Sequence, residues 1–481
     1  MRHLDAKQHD RAVGVLLGSA AGDALGVHYE YGSRRLDGEP QLLGGGLGGL
    51  APGQWSDDTE MACAITEVPV TGADLRTEGA LDAVAAQFAR WYADGPPDIG
   101  IQTRAVLSAR PVDAAAMRAV ARELHERTGR SAGNGSLMRT GPVALAHLGH
   151  PHAIAEAARA VSALTHHDPV AGDACALWCL AIDHAVLTGT LDLRVGLPHV
   201  DAAYWAPLID EAETVAPGHY AATNGWVVAA LLAAWSALSR TGTLRDALVE
   251  AVRGGGDTDT VAAITGSLAG AAYGASTVPA AWRRMLHGWP GLRARDLVRL
   301  AYLSAHRGRT ATDRWPLAPS LGHYGGAATT VTPHPDDAGV LLGAVGALRP
   351  GVADAVVSLC RVGSSQAPLP GVRPEDHVEV WLVDDDDANN DLAFVLDDSA
   401  LAVQQLRAEG KTVLLHCVHA RSRTPVVAAA YGALVTGGST REALDRVLAV
   451  LPSGRPRRSI VAALHATGDG RRLVDGRPAG R

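Results

Sequence analysis

"GGGDTDTVAAITGSLAGAAYG", residues 254–274, decides how the first two-thirds of this 481-residue chain folds. Three glycines lead into Asp257, Asp259 and Thr260, and the helical run that follows carries Gly266, Ala269, Gly270 and Gly274. Small residues let a second helix come close, and glycines ahead of a helix let backbone approach a ligand. The stretch therefore predicts a tightly packed helix with acids at its start. Its surroundings have the same texture: "DRAVGVLLGSAAGDALG", "ALDAVAAQFARWYADG", "AIAEAARAVSALTHHD", "DACALWCLAIDHAVLTG" and "GWVVAALLAAWSALSRTG" all place apolar residues at helical spacing. Gly, Pro and Asp punctuate the ends of these runs. Residues 1–305 are expected to form an all-α domain.

The totals set the limits. A chain of this length exceeds one ordinary core, so two domains are expected. A net charge of −8 argues against a nucleic-acid binder, which would show a basic surplus. The five cysteines are odd in number and match no disulfide framework or zinc pattern, and Cys175 and Cys179 read as buried core thiols. No charged-then-apolar leader opens the sequence and no apolar run reaches spanning length. The expectation is a cytoplasmic protein with neither membrane nor nucleic acid as partner.

The texture changes at residues 306–335, "HRGRTATDRWPLAPSLGHYGGAATTVTPHP", which lack periodicity and read as a linker. Beyond it, "DAVVSLCRVG", "HVEVWLVDD" and "KTVLLHC" are short β-branched runs, with helical runs such as "DDSALAVQQLRAEG" and "TREALDRVLAVL" between and after them. Strands alternating with helices predict a small α/β domain over 336–481 with a mostly parallel sheet.

Two acidic clusters stand out in the first domain. Ser56, Asp57, Asp58 and Thr59 precede one helix, while Asp257, Asp259 and Thr260 open another. Either group taken alone reads as a helix cap, since Ser, Asp and Thr cap well and acids suit the positive helix end. Taken together they ask for another explanation, because adjacent carboxylates repel and a cap needs one acid. Two acids with a hydroxyl, supplied twice, are the hard oxygen donors that a pair of Mg²⁺ or Mn²⁺ ions takes.

"GSAAGDALGVHYE", "WSDDTEM", "DIGIQT", "GNGSLMR", "LTHHDP" and "GGDTDTVAAITGSLAGA" stand in the order seen in ADP-ribosylglycohydrolases, so residues 9–305 resemble that family, dinitrogenase-reductase-activating glycohydrolases included. The resemblance implies an all-α fold with two divalent metals that cleaves the glycosidic bond of ADP-ribose on a protein or a small ADP-ribosyl compound. It marks Ser56, Asp57, Asp58, Asp257, Asp259 and Thr260 as metal ligands. Glu30 and Asp98 correspond to acids near the metals and the scissile bond, and Ser131, Asn134 and His166 fall in substrate-lining motifs. Asp23 is read as structural and left out of the site, and Asn134, between two glycines, suits a left-handed turn.

In the second domain, "KTVLLHCVHARSRTPVVAAAYGALVTGG" sets Cys417 and Arg423 six positions apart, between a buried strand and a helix with Pro425 in its first turn. Such a loop aims backbone N–H groups at a phosphate and favours a thiolate, and an arginine there clamps two phosphoryl oxygens. Thr424 is placed to help the thiolate leave. The segment resembles the His-Cys-x5-Arg-Ser/Thr loop of dual-specificity and tyrosine phosphatases, over about residues 336–475. That resemblance implies a phosphocysteine intermediate, a phosphorylated substrate, no cofactor in this domain, and a general acid upstream. Counting back from Leu392 gives Asp386, with Asp385 and Asp387 as alternatives. Ala420 stands where most members have Gly, so a left-handed backbone there would be strained. The expected protein is an ADP-ribosyl hydrolase fused to a cysteine phosphatase. The rival is a module that binds ADP-ribosyl or phosphate groups with a catalytically weak second domain.

Overall fold

The computed structural model describes residues 4–321 and 326–470. Residues 322–325, within the predicted linker, lie outside the described residues. The chain divides into two compact units, residues 1–278 with 285–309, and residues 279–284 with 310–481.

In the first unit the helix Ala6–Gly26 starts at a capping box between Asp5 and Gln8. It then runs along the helix Thr258–Tyr273. Glycines on both helices make that contact one of backbone on backbone. A methyl group at Gly18 would overlap the carbonyl oxygen of Gly266, and one at Gly266 would overlap that of Gly18. Thr258 Oγ1 donates to the Gly26 carbonyl at 2.8 Å, which locks the start of one helix to the end of the other. The sequence reading saw the small residues of the second helix and passed over their complement, Gly14, Gly18 and Gly22 of the first.

The helix Pro169–Thr188 corrects one expectation, since it is long and apolar enough to cross a membrane. Most of it is buried within the protein, and Trp178 Nε1 donates to Ser267 Oγ on the glycine-bearing helix at 3.0 Å. Cys175 and Cys179 are core thiols of this helix, and all five cysteines are buried and free. A two-residue hairpin, His287–Gly288 with Leu292–Arg293, interrupts the helical pattern.

The second unit holds a five-stranded sheet in the order Val331–His334, Asp337–Ala344, Val413–Cys417, Ala355–Ser358, His377–Glu379. The first pair is antiparallel and the rest are parallel. Its central strand, Val413–Cys417, is buried throughout and leads straight into the loop before the helix Arg423–Thr436. Helices Leu392–Ala408, Arg423–Thr436 and Thr440–Val450 contribute Val395, Val403, Val427 and Val447 to the core over the sheet.

Two boundaries move. The predicted linker 306–335 contains the edge strand Val331–His334, and its residues from 310 onward belong to the second unit. Within that unit the Arg361 guanidinium lies 4.4 Å from the Trp315 ring and 5.5 Å from Trp381, which fixes residues read as linker. Residues 279–284, expected in the all-α domain, also belong to the second unit, where the buried Asp398 accepts from Ala280 N–H at 3.0 Å.

Candidate active site

The two locked helices of the first unit bring the acidic clusters together. Neither Ser56 nor Asp257 caps its helix with its side chain, although each occupies the cap position. The Ser56 hydroxyl lies between Asp23 Oδ1 at 2.8 Å and Asp58 Oδ2 at 2.9 Å. Asp257 Oδ2 accepts from Asn134 Nδ2 at 2.8 Å and from the Tyr31 hydroxyl at 3.1 Å. Asp57 Oδ2 accepts from Gly100 N–H at 3.2 Å, and Asp259 Oδ1 from Thr260 N–H at 3.0 Å. Carboxylate oxygens of Glu30, Asp98 and Asp259 lie within 4.8 Å of one another.

Several of these carboxyls sit where the charged form is costly. Burial, followed by repulsion from neighbouring carboxylates, pushes the carboxyls of Glu30, Asp58 and Asp259 up. Asp57 rises for the same reasons, against the pull of Gly100 N–H. Glu30 Oε2 and Asp58 Oδ1 are buried with no hydrogen-bond partner. A buried carboxylate without a partner is costly. The hard oxygen donors, the lack of a counter-charge that their raised pKa values reveal, and their orphaned oxygens therefore fit divalent cations.

Asp23 is the residue that the sequence reading undervalued. Fully buried, it accepts from Ser56 N–H and Oγ–H at 2.9 and 2.8 Å, and from Thr59 N–H and Oγ1–H at 3.0 and 2.6 Å. One carboxylate on the first helix thus holds the whole turn that carries Asp57 and Asp58. The signal was available, because the acid sits inside a glycine-spaced helix, where a lone charge needs a partner.

The predicted lining residues divide. Asn134 reaches the cluster through Asp257, in right-handed rather than left-handed backbone, because it opens a short 3₁₀ turn. His166 packs under that turn, where a methyl group at Gly135 would meet its ring. Arg139 donates to Thr165 Oγ1 at 2.6 Å, and the Thr165 hydroxyl is hydrogen-bonded to His166 Nδ1 at 2.7 Å. Burial, then the nearby Arg139, pulls the imidazole pKa well down, which keeps it neutral. The Ser131 hydroxyl faces His125 Nδ1 at 2.6 Å instead of the carboxylates.

In the second unit Cys417 ends the central strand and Arg423 opens the next helix; both line an open cavity of about 710 Å³. Arg423 Nη1 donates to the carbonyls of Leu359 at 2.7 Å and Leu382 at 3.0 Å, which fixes the guanidinium. Thr424 Oγ1 is buried without a partner. Behind the cysteine runs an ordered relay. Leu369 N–H donates to His377 Nδ1 at 3.1 Å, which leaves the His377 proton on Nε2, facing Ser358 Oγ at 2.9 Å. The Ser358 hydroxyl then gives its proton to His416 Nε2 at 2.6 Å. Burial pulls the pKa of His416 down to about 4.

The upstream acid departs from expectation. Asp386 is mostly exposed, accepts from Ser459 Oγ and does not line the cavity; Asp384 does. Asp384 Oδ1 accepts from the Ser422 hydroxyl of the cysteine loop at 2.7 Å. Asn389 explains the shift, because its side chain bonds both the N–H and the carbonyl of Val383 at 2.9 Å and closes the acidic loop on itself. Counting back from Leu392 assumes an open loop.

Ala420 adopts φ 55°, the left-handed conformation. That costs an L-residue roughly 1–2 kcal/mol, while glycine loses about 0.5–1 kcal/mol more chain entropy on folding. Ala420→Gly is therefore expected to stabilise the second unit by about 0.5–1 kcal/mol. Denaturant titration of that unit checks it, and a destabilised variant would contradict the strain.

Residues 4–311 match the family model described as ADP-ribosylglycohydrolase, and the chain belongs to that family. It is a glycohydrolase of ADP-ribosylated substrates joined to a small α/β region. Among its relatives, an ADP-ribosyl-dinitrogen reductase glycohydrolase of Rhodospirillum rubrum is 31% identical over 293 residues, 57% of this chain and 89% of that one. ADP-ribosylarginine hydrolase Tri1 of Pseudomonas putida is 31% identical over 296 residues, 57% of this chain and 73% of that one. A solved structure of human DUSP28 covers 30% of this chain and 95% of its own, at 21% identity and a TM-score of 0.25.

Proposed function

We propose that the first unit releases ADP-ribose from ADP-ribosylated arginine side chains of proteins, with two divalent cations, Mg²⁺ or Mn²⁺, held by Ser56, Asp57, Asp58, Asp257, Asp259 and Thr260. The observation that carries this reading is that two helix starts withhold their side chains from capping and bury them in one place, where burial and mutual repulsion oppose the charged form that a bound cation would favour. The substrate class comes from the names of the two relatives. Bound there, the cations would supply Lewis acidity and a counter-charge for the ribose hydroxyls. Asp23 keeps the Asp57–Asp58 turn in place, and Asn134 orients Asp257. Glu30, with an unpartnered buried oxygen, and Asp98 beside it are the carboxyls that exchange the proton. The C1″–N bond breaks, the oxygen of water joins C1″, and the freed guanidine takes the proton. ADP-ribose release from an ADP-ribosyl-arginine peptide is expected to fall at least about a hundredfold after EDTA treatment and dialysis, and to return with Mg²⁺ or Mn²⁺. Undiminished release without metal would refute the assignment.

For the second unit we propose phosphatase chemistry, favoured by Cys417 and the carbonyl-anchored Arg423 lining one cavity. Cys417 sulfur attacks phosphorus, an S–P bond forms and the P–O bond breaks, and the leaving oxygen takes a proton from Asp384. Water then attacks phosphorus and gives its proton to the Asp384 carboxylate, the S–P bond breaks, and Thr424 supports the departing thiolate. Hydrolysis of p-nitrophenyl phosphate by the wild type, abolished in Cys417→Ser, is the expected result. Phosphate binding without turnover in the wild type would instead establish the binding-module reading.

A further inference from the structure

The cysteine loop of a phosphatase needs one arginine, yet four line this cavity: Arg421, Arg423, Arg455 and Arg457, against the single carboxylate of Asp384. Arg457 is already balanced, since it lies 3.5 Å from Asp384, 3.3 Å from Asp385 and 3.9 Å from Asp386. No carboxylate among the described residues pairs with Arg421 or Arg455.

Arg455 is built in as Arg423 is. The segment after the helix Thr440–Val450 returns to the cysteine loop, where Arg455 N–H donates to the Arg421 carbonyl at 2.6 Å and Arg457 N–H to Ser422 Oγ at 3.3 Å. Arg455 Nη1 then donates to the carbonyls of Pro452 at 3.0 Å and Gly454 at 2.5 Å. Each of these arginines thus spends one nitrogen on two backbone carbonyls. For Arg455 that leaves Nε and Nη2 free, among the described residues, on an exposed, positively charged fork whose position is already fixed. A fork of that kind matches a phosphate bidentately, with little further ordering cost. Among the described residues the cavity wall holds no Tyr, Phe or Trp, and Val418 of the loop is its one aliphatic side chain, so it offers little to the ring of a phosphotyrosine.

We propose that this cavity takes a small molecule carrying at least two phosphates, one over Cys417 and Arg423 and a second on Arg455 and Arg421. The proposal rests on the phosphatase reading for which phosphate is transferred. It does not rest on that reading for the existence of the second anion subsite. The shared chemistry is closely spaced phosphates, as on a polyphosphorylated polyol, a phosphoanhydride or a lipid headgroup.

The experiment compares the full-length wild type with Arg455→Ala and Arg455→Lys. Phosphate release is measured from myo-inositol hexakisphosphate, inorganic tripolyphosphate, phosphatidylcholine vesicles carrying phosphatidylinositol bisphosphate, a phosphotyrosyl peptide and p-nitrophenyl phosphate. The expected result is a higher kcat/KM for at least one multiply phosphorylated substrate than for p-nitrophenyl phosphate. That ratio should fall about tenfold or more in Arg455→Ala, through KM, with partial recovery in Arg455→Lys. The soluble and vesicle arms then show which source the site prefers. A ratio unmoved by Arg455→Ala, or a preference for the phosphopeptide, would overturn the proposal. If the wild type turns over no substrate, the phosphatase reading fails and calorimetric titration decides the subsite. Tighter binding of inositol hexakisphosphate than of inorganic phosphate, weakened by Arg455→Ala, supports it; equal binding of the two overturns it.

Discussion

Asp259→Asn is expected to abolish ADP-ribose release while making the metal-free protein harder to unfold. The substitution keeps shape and the bond from Thr260 N–H, but it removes one of several buried like charges. In the absence of cations those charges oppose burial and one another, so losing one relieves the fold. In the proposed cation-bound state the same carboxylate would be a ligand, and several kcal/mol of charge stabilisation would go with it, roughly a thousandfold in rate. Two measurements on one variant check this: release from an ADP-ribosyl-arginine peptide with Mg²⁺, and the melting temperature of the first unit in EDTA. A variant that is inactive and also less stable in EDTA would show Asp259 to be a structural acid.

Gly266→Ala should cost about 3 kcal/mol or more, a large effect for one methyl group. The methyl would meet the Gly18 carbonyl, which belongs to backbone and cannot swing aside, so the two helices must separate. Separation also draws the start of one helix, with Asp257 and Asp259, away from the end of the other. Activity should therefore fall further than the stability loss requires. Gly79→Ala is the matched control. It lies in the helix Glu78–Ala93 with nothing near a new methyl group, and there the same change should stabilise by up to about 1 kcal/mol. Thermal melts of the two variants should shift in opposite directions; equal shifts would remove the backbone contact as the cause.

What was legible depended on how local the signal was. Helical spacing and paired acids lie within one stretch, so the all-α unit and the residues at both helix starts could be read directly. That their side chains leave the cap positions is a tertiary fact, because Asp23 and Asn134 hold them from other elements. The strand Asp337–Ala344 escaped notice because its run of Gly, Ala and Leu does not alternate, and its neighbour contains Pro333, which an edge strand tolerates. Counting gives Asp386, with Asp385 and Asp387 as alternatives, whereas Asp384 lines the cavity, because the Asn389 side chain folds the loop back, a contact that spacing does not encode. Arg455 was invisible for a related reason. Nothing in "PSGRPRR" tells that its backbone returns to the cysteine loop.

The glycine contact between the first helix and Thr258–Tyr273 also decides where the first unit can yield. Backbone pressed on backbone has no rotamers to exchange, so this joint behaves as a stiff frame and the acids of the second helix ride on it. Directly after the frame the chain leaves helical geometry at Glu30, with ψ 129°, and at Tyr31, with φ 45°, and it is moored through Tyr31, whose N–H donates to the Gly256 carbonyl at 2.7 Å and whose hydroxyl donates to Asp257 Oδ2 at 3.1 Å. Glu30 is thus mounted on the compliant link and Asp259 on the rigid one. The separation of these two carboxyls is set by the Tyr31 bonds on one side and by the glycine contact on the other.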